Sequence, residues 1–420
     1  MKKNNTQQHN RNALIAALDV GTTKVCCLIA RMGEFGPKIV GIGHQVSAGV
    51  RNGTIVDMDA LEGAIRATVE TAEQMAESNV QEVMINLSSN TIASRLIAYE
   101  VATAGHRIDD ADLRRLLDPQ VLQIDEGEGR ERVHTIPVGY SIDGTRGIRD
   151  PIGMYGDRLG VNMHVVSASS PVLRNLETTV TRCHLGVSGV AVSSYASALS
   201  CLVGDEAKLG VTMIDMGGGT TSVAVYFDGE LVHTDVVPLG GSHITNDIAR
   251  GLSTPLGHAE RVKNLFGNAV PSSTDDRAVI EVPLIGEDGT SGASQVPRSM
   301  LVGIIRPRVE EIFELIRDRL AKAGFEQVSG PRVVLTGGAS QLPGVTDVAS
   351  EILDRQVRIG KPAPMDGLAE AVSGPAFSTC TGLIHYAVNS SQESAAGAFH
   401  PTGDSNATFG KLGQWFRENF

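Results

Sequence analysis

One pattern occurs twice in this chain and restricts its architecture more than any other feature. In the second copy an apolar run, Val211 to Asp215, ends in an acid, passes through Gly217-Gly218-Gly219-Thr220, and returns as another apolar run, Thr221 to Phe227. In the first copy Ala13 to Leu18 leads into Asp19-Val20-Gly21-Thr22-Thr23-Lys24, and Val25 to Ala30 follows. Short apolar runs on either side of a glycine turn read as paired, buried strands. A third strand candidate follows each pair, Lys38 to Gly43 and Glu230 to Pro238, and then a helical stretch. In the first copy that stretch is Met58 to Glu77, with Leu61, Ile65, Val69 and Ala72 on one face, and a strand at Val83 to Leu87 comes next. In the second it is Ile244 to Gly251. Two copies of one unit, with Asp19 and Asp215 in matching places, predict a duplicated α/β fold whose two lobes face each other.

A chain of 420 residues is too long for one ordinary core and long enough for each lobe to bury its own. Between the copies, residues 88–166 change character, with charged loops such as Asp125 to Arg132 and several Gly/Pro turns, and read as an inserted subdomain. A second insertion, 252–330, carries a Ser/Gly/Pro-rich loop at 271–297 and then a long helix from about Leu301 to Ala323. Asn389 to Ser405 is too poor in large apolar groups to pack and reads as a flexible linker. The first twelve residues are polar and lack the apolar segment of a secretory signal, and no run of eighteen apolar residues follows, so the chain is expected to be neither exported nor membrane-spanning. Cys26, Cys27, Cys183, Cys201 and Cys380 form no C-x-x-C pair and no disulfide framework, which points to a reducing cytoplasm and against a cysteine-built metal site. With 48 acidic against 36 basic side chains the net charge is −12, and no basic patch exceeds a few residues; nucleic acid is not an expected partner.

The glycine turns admit two readings. Each is either a plain hairpin turn or a cradle in which successive backbone N–H groups point at one anion and missing Cβ atoms let phosphate oxygens approach. In the second reading Thr22, Thr23, Thr220 and Thr221 add hydroxyl donors, Lys24 adds a cation, and Asp19 and Asp215 hold a hydrated Mg²⁺. The repeated acid favours this reading, since a structural turn has no need of it. A third element, Val333 to Gly344, is an apolar strand entering Gly337-Gly338-Ala339 and a helix start, against which a base can lie, although a plain strand-to-helix turn looks similar. The fourth, His258 to Lys263, offers Glu260 and Lys263 for ribose hydroxyls, or is an ordinary solvated face.

These four elements in this order resemble the actin superfamily, over residues 13 to about 388. The resemblance implies an actin-like, duplicated ribonuclease-H-type fold with two lobes around a nucleotide cleft. It places phosphate motifs at Asp19 to Lys24 and at Asp215 to Thr221, an adenosine motif at Thr336 to Ser340, and ribose contacts at Glu260 and Lys263. Within the superfamily, 134–165, HTIPVGYSIDGTRGIRDPIGMYGDRLGVNMHV, resembles the inserted subdomain of the FtsA family of bacterial division proteins, supported by Ser47 to Gly53, Gly240-Gly241 with Ile244 to Ala249, Val357 to Gly360, and Ser378 to Tyr386. The implied parts are a polar start (1–12), a first lobe core (13–87, 167–205 and 370–388), the FtsA-type inserted subdomain (88–166), a second lobe core (206–251 and 331–369), its subdomain (252–330), a linker (389–407) and a terminal amphipathic helix (408–420). Where superfamily members that hydrolyse ATP well carry a water-orienting acid or amide, this chain has Ser193 and Ser194; a serine is a poor base, so the expectation is ATP binding with at most weak ATPase activity.

On a helical wheel of about 100° per residue, Phe409, Leu412, Trp415, Phe416 and Phe420 fall within about 140°. Lys411, Gln414, Arg417 and Glu418 lie opposite. Such a helix either docks on the protein's own core or lies in a membrane interface, and the linker before it favours the second. The family resemblance implies the same: a membrane anchor on an actin-like protein that polymerises with itself on the cytoplasmic side of the cell inner membrane at the division septum, tethers the tubulin-like protein FtsZ and helps recruit later division proteins. The FtsZ tail is expected on the second insertion, with Arg308 and Glu311 as exposed candidates. The competing readings are an actin-fold pilus-assembly ATPase and a small-molecule kinase.

Overall fold

The structure, a computed structural model, describes residues 14–33, 36–118, 127–285, 293–326, 328 and 330–396. Three antiparallel strands open the first lobe, β1 (Leu14–Val20), β2 (Lys24–Gly33) and β3 (Gly36–Val46). Ala16 to Val20 and Val25 to Ala30 are buried residue after residue, because both faces of the sheet are covered; this is why the runs are continuously apolar instead of alternating. A short hairpin, β4 (Val50–Arg51) and β5 (Thr54–Ile55), leads into α1 (Met58–Ala76). That helix starts where the Asp57 carboxylate accepts from the N–H groups of Asp59 and Ala60, and buries Leu61, Ile65, Val69 and Ala72. β6 (Glu82–Leu87) then pairs parallel with β1.

Here the chain leaves the lobe for a four-stranded antiparallel sheet. β7 (Ala93–Ala102), α2 (Asp110–Leu117), β8 (Arg130–Ile142), β9 (Thr145–Ile148) and β10 (Arg158–Ser169) give the order β7-β10-β8-β9, with Leu113 and Leu116 of α2 in its core. Through α3 (Ser170–Arg182) it returns to β11 (Gly186–Val192), parallel to β6, and the first sheet closes as β11-β6-β1-β2-β3. Next, α4 (Ser193–Cys201) and α5 (Gly204–Leu209) lead to the second lobe.

That lobe begins with β12 (Val211–Met216), β13 (Thr221–Phe227), β14 (Glu230–Val237) and α6 (Gly241–Gly251). Then come α7 (Leu256–Phe266), the hairpin β15 (Val279–Pro283) and β16 (Ala293–Pro297), and the long α8 (Arg298–Lys322). β17 (Arg332–Thr336), α9 (Val345–Leu353) and β18 (Gln356–Ile359) complete a sheet of order β14-β13-β12-β17-β18. Strand for strand this repeats the first lobe, two antiparallel pairings followed by two parallel ones. The duplication inferred from the two glycine turns is therefore real at the level of topology.

The last helix, α10 (Ser378–Ala396), packs across α4 between the lobes. Apart from Tyr195 and Leu199, α4 is built of small residues, and a Cβ at Gly382 would lie 1.7 Å from the Ala196 carbonyl oxygen, so only glycine permits this crossing. α10 runs on to Ala396, into the stretch that reads from sequence as linker; the rest of that stretch and the amphipathic 408–420 lie outside the described residues. No helix among the described residues is long and apolar enough to cross a membrane.

The inserted sheet also leans on the second lobe. Leu96 of β7 is buried in the second lobe's core, and Ser94 Oγ sits 2.7 Å from His164 Nε2 and 3.3 Å from His233 Nδ1 of β14. Burial pushes His233 and His134 each down to about 4, with Asp235 pulling His233 partly back, and pushes His164 well below the ordinary value. An unfolded histidine titrates near 6.5, so between about pH 6.5 and 4 the unfolded chain binds protons that the native state refuses, and stability is lost as pH falls through that window. Asp19, raised to about 6, acts in the opposite direction over part of it. In His233→Gln protein the slope of unfolding free energy against pH should be shallower by up to about 1.4 kcal/mol per pH unit between pH 6 and 4.5. Urea titrations of both proteins across that range measure it, and parallel slopes would mean that His233 is not held neutral.

Candidate functional site

A cavity of about 530 Å³ lies between the lobes, and both glycine turns line it. The turns are built alike. Gly21 N–H donates to the Lys24 carbonyl at 3.0 Å and Gly217 N–H to the Thr220 carbonyl at 2.9 Å, so each closes over the same number of residues. The second turn is further stitched to the start of α6, where Gly241 N–H and Ser242 N–H donate to the carbonyls of Gly217 and Gly218. The turns meet across the cleft floor. A Cβ at Gly218 would lie 2.5 Å from Thr23 Cγ2, and one at Gly219 would lie 2.4 Å from Thr22 Oγ1 and 2.8 Å from Asn52 Cα. Ser88 Oγ and Thr220 Oγ1, from opposite lobes, are 2.7 Å apart.

Asp19 and Asp215, each the penultimate residue of the first strand of its lobe, are both buried at the cavity. Burial raises Asp19 to about 6, with Lys24 lowering it and Asp215 raising it further. Burial also raises Asp215, opposed by hydrogen bonds to its Oδ2 from Ser197 Oγ (2.6 Å) and Thr379 Oγ1 (2.9 Å) and by Lys24. Those hydroxyls come from α4 and α10, the two helices that cross between the lobes. Lys24 donates to the Ala376 carbonyl and lies 3.6 Å from the centroid of the Phe377 ring.

On the far wall Lys263 Nζ reaches Glu260 Oε2 at 2.7 Å, Thr245 Oγ1 at 2.9 Å and the Gly241 carbonyl at 3.2 Å. Burial works against the Glu260 carboxylate, but hydrogen bonds from Lys263 and Thr245 outweigh it and hold its pKa below the ordinary value. Gly337 adopts φ +85°, and a Cβ there would meet Asp215 Oδ1 at 2.3 Å; Gly338 and Ala339 line the cavity beside it.

Of the candidate cofactor residues, Asp19, Gly21, Thr22, Thr23, Lys24, Asp215, Gly217, Gly218, Gly219, Thr220, Glu260, Lys263, Gly337, Gly338 and Ala339 all line this one cavity. Thr221 does not. It is the first residue of β13, buried, and its hydroxyl donates to the Leu239 carbonyl at 2.8 Å, so its side chain is turned from the cleft by the strand's alternation. Arg308 is also not the exposed residue that its helix pattern suggests. It is half-buried, its guanidinium forks onto Asp247 of α6 at 2.6 and 3.1 Å and pairs with Glu311, and of the two only Glu311 is exposed.

Asn86, Ser88, Ser197 and Thr379 were not legible as site residues. Ser193 is in the cleft, where its hydroxyl donates to the Leu87 carbonyl at 3.2 Å and accepts from Asn86 Nδ2 at 3.1 Å, so its one proton is engaged by the main chain. Backbone N–H groups, absent Cβ atoms, a lysine and two buried carboxylates suit a nucleotide's phosphates and a hard cation. Among the described residues no cluster of three or more His, Cys, Asp or Glu side chains forms a metal cage; two carboxylates with water and phosphate oxygens is the usual way Mg²⁺ is held.

Comparison with known proteins agrees with this geometry. Residues 212–382 match the family model for cell division protein FtsA, and residues 89–167 match that for the SHS2 domain inserted in FtsA. The cell division protein FtsA of Agrobacterium fabrum is 46% identical, with 98% of this chain and 96% of that protein aligned. Those of Pseudomonas aeruginosa and Escherichia coli are 33% and 30% identical, each aligned over 97% of this chain and 98% of the relative. Among solved structures, one of a PilM–PilN type IV pilus biogenesis complex superposes with TM-score 0.63 at 17% identity, covering 89% of this chain and 98% of that one. MreB5 of Spiroplasma citri bound to ADP superposes with TM-score 0.54 at 14% identity, covering 91% and 98%. At these identities the structural likeness establishes the actin-like fold alone, and the pilus-assembly and kinase readings gain nothing from it. Near-full-length identity to the curated relatives, together with the inserted subdomain, establishes the rest: the chain is an actin-like cell division protein and belongs to the FtsA family.

Proposed function

We propose that the interlobe cleft binds ATP with Mg²⁺, and that the protein polymerises in that state on the cytoplasmic side of the cell inner membrane, where residues 408–420 anchor it. The observation that carries the nucleotide reading is the pair of identically closed glycine turns facing each other across a cavity that also holds two buried carboxylates. In this reading the N–H groups of residues 22–23 and 218–219, which do not close the turns, take the phosphates from both sides, and Lys24 leaves Ala376 to meet them. Asp19 and Asp215 orient the water shell of a Mg²⁺, which when bound neutralises phosphate charge. Glu260 and Lys263 meet the ribose, and Gly337 to Ala339 lie against the base. Ser193, a poor base where an acid or amide would orient a water, gives little help to hydrolysis, so turnover is slow and the bound state persists. FtsZ docks on the second lobe's subdomain, 252–330, beside Glu311, and later division proteins are recruited to the assembled polymer.

Electron microscopy on an anionic lipid monolayer tests the whole reading. Filaments are expected with ATP and Mg²⁺ and few or none without nucleotide. Filament formation indifferent to ATP would detach polymerisation from the cleft, and retention of soluble monomers only would remove the polymer.

A further inference from the structure

Asn86 is the penultimate residue of β6, 3% exposed, and stands at the meeting point of three segments far apart in sequence. Its Oδ1 accepts the Val20 N–H at 2.7 Å. Its Nδ2 donates to Asp19 Oδ1 at 2.8 Å and to Ser193 Oγ at 3.1 Å. The Val20 backbone group can only donate, so the amide oxygen must face it and both Nδ2 hydrogens must face Asp19 and Ser193. The orientation of the amide is thereby fixed by chemistry, and both of its donors are used. No freedom is left for the Asp19 carboxylate to rotate without breaking a buried bond.

We propose that Asn86 is a positioning residue of the cleft, holding the Asp19 carboxylate at the angle from which it receives a hydrated divalent cation bound with nucleotide. The inference rests on the ATP reading above. It follows from the general behaviour of groups that ligate a cation directly or through water: the side chain that hydrogen-bonds them sets their direction, and its loss typically weakens metal binding about 10- to 100-fold. A cation-directed role separates from a structural one, because Asn86 would then influence MgATP and leave cation-free ATP alone.

The experiment is calorimetric titration of ATP into full-length protein, once with excess Mg²⁺ and once with EDTA. In Asn86→Ala, MgATP affinity should fall about 10- to 100-fold, while affinity in EDTA should change less than about threefold. In an Asp19→Asn background the same substitution should add nothing in Mg²⁺, since Asn86 acts through Asp19. If Asn86→Ala does not fold, Asn86→Gln retains a buried amide one methylene out of place and should give the same split. Equal weakening with and without Mg²⁺, or none in either, overturns the proposal. Failure of the unsubstituted protein to bind ATP at all would instead overturn the nucleotide reading on which it rests.

Discussion

In Gly219→Val protein, ATP with Mg²⁺ should leave the thermal midpoint where it stands without ligand. Saturation of the unsubstituted protein to about 100 times the Kd should stabilise it by about 2.7 kcal/mol and raise the midpoint by a few degrees. The choice of Gly219 over its neighbours follows from what each Cβ would strike. At Gly218 the nearest atoms are the methyl and hydroxyl of Thr23, which can swing aside. At Gly219 they include Asn52 Cα at 2.8 Å and Asn52 N at 2.9 Å, main-chain atoms of the other lobe that move only if the lobes separate. A valine there therefore wedges the clamp open and obstructs phosphate approach at once. Gly218→Ala should show a smaller loss, and differential scanning fluorimetry with and without MgATP reads both. A full ATP-dependent shift in Gly219→Val would show that the turns do not close on the phosphates.

Which parts of this site the sequence reveals, and which it conceals, follows from the range of the interactions. The acids, glycines and threonines of the two turns are each contiguous, so their chemistry is visible in a run of six or seven residues, and the duplication makes the acid conspicuous. Glu260 and Lys263 are legible because they share a helix turn. Asn86, by contrast, joins Asp19 and Ser193 across 67 and 107 positions, and Thr379 reaches Asp215 across 164. No local period marks these residues, and a Ser or Asn at the end of a strand reads as a turn former.

The errors have the same origin. Thr221 belongs to the glycine motif by spelling, but β13 has already begun there and alternation directs its hydroxyl to Leu239. Arg308 has the spacing of an exposed position on α8, yet Asp247, 61 residues earlier on α6, captures it in a forked pair. Helical periodicity assigns a face and cannot say what will be packed against it.

Deleting residues 408–420 should abolish co-sedimentation with anionic liposomes while the ATP-dependent rise in thermal midpoint persists. This stretch lies outside the described residues, so the expectation rests on its sequence. Five large apolar side chains, Phe409, Leu412, Trp415, Phe416 and Phe420, contribute about 1.5 to 3 kcal/mol each if fully buried. The total is on the order of 10 kcal/mol before helix nucleation and immobilisation are subtracted, and Gly410 and Gly413 add to that cost. One anchor is consequently weak. Many anchors carried on one polymer act at high effective concentration and bind tightly, so full-length protein should sediment more completely with MgATP than without it, and Gly219→Val should lose that difference. Truncated protein that still sediments with lipid would remove the anchor assignment. Full-length protein that sediments equally with and without MgATP would instead keep the anchor and break its link to the cleft, the link through which nucleotide held between the lobes is proposed to set polymerisation and polymerisation to set membrane attachment.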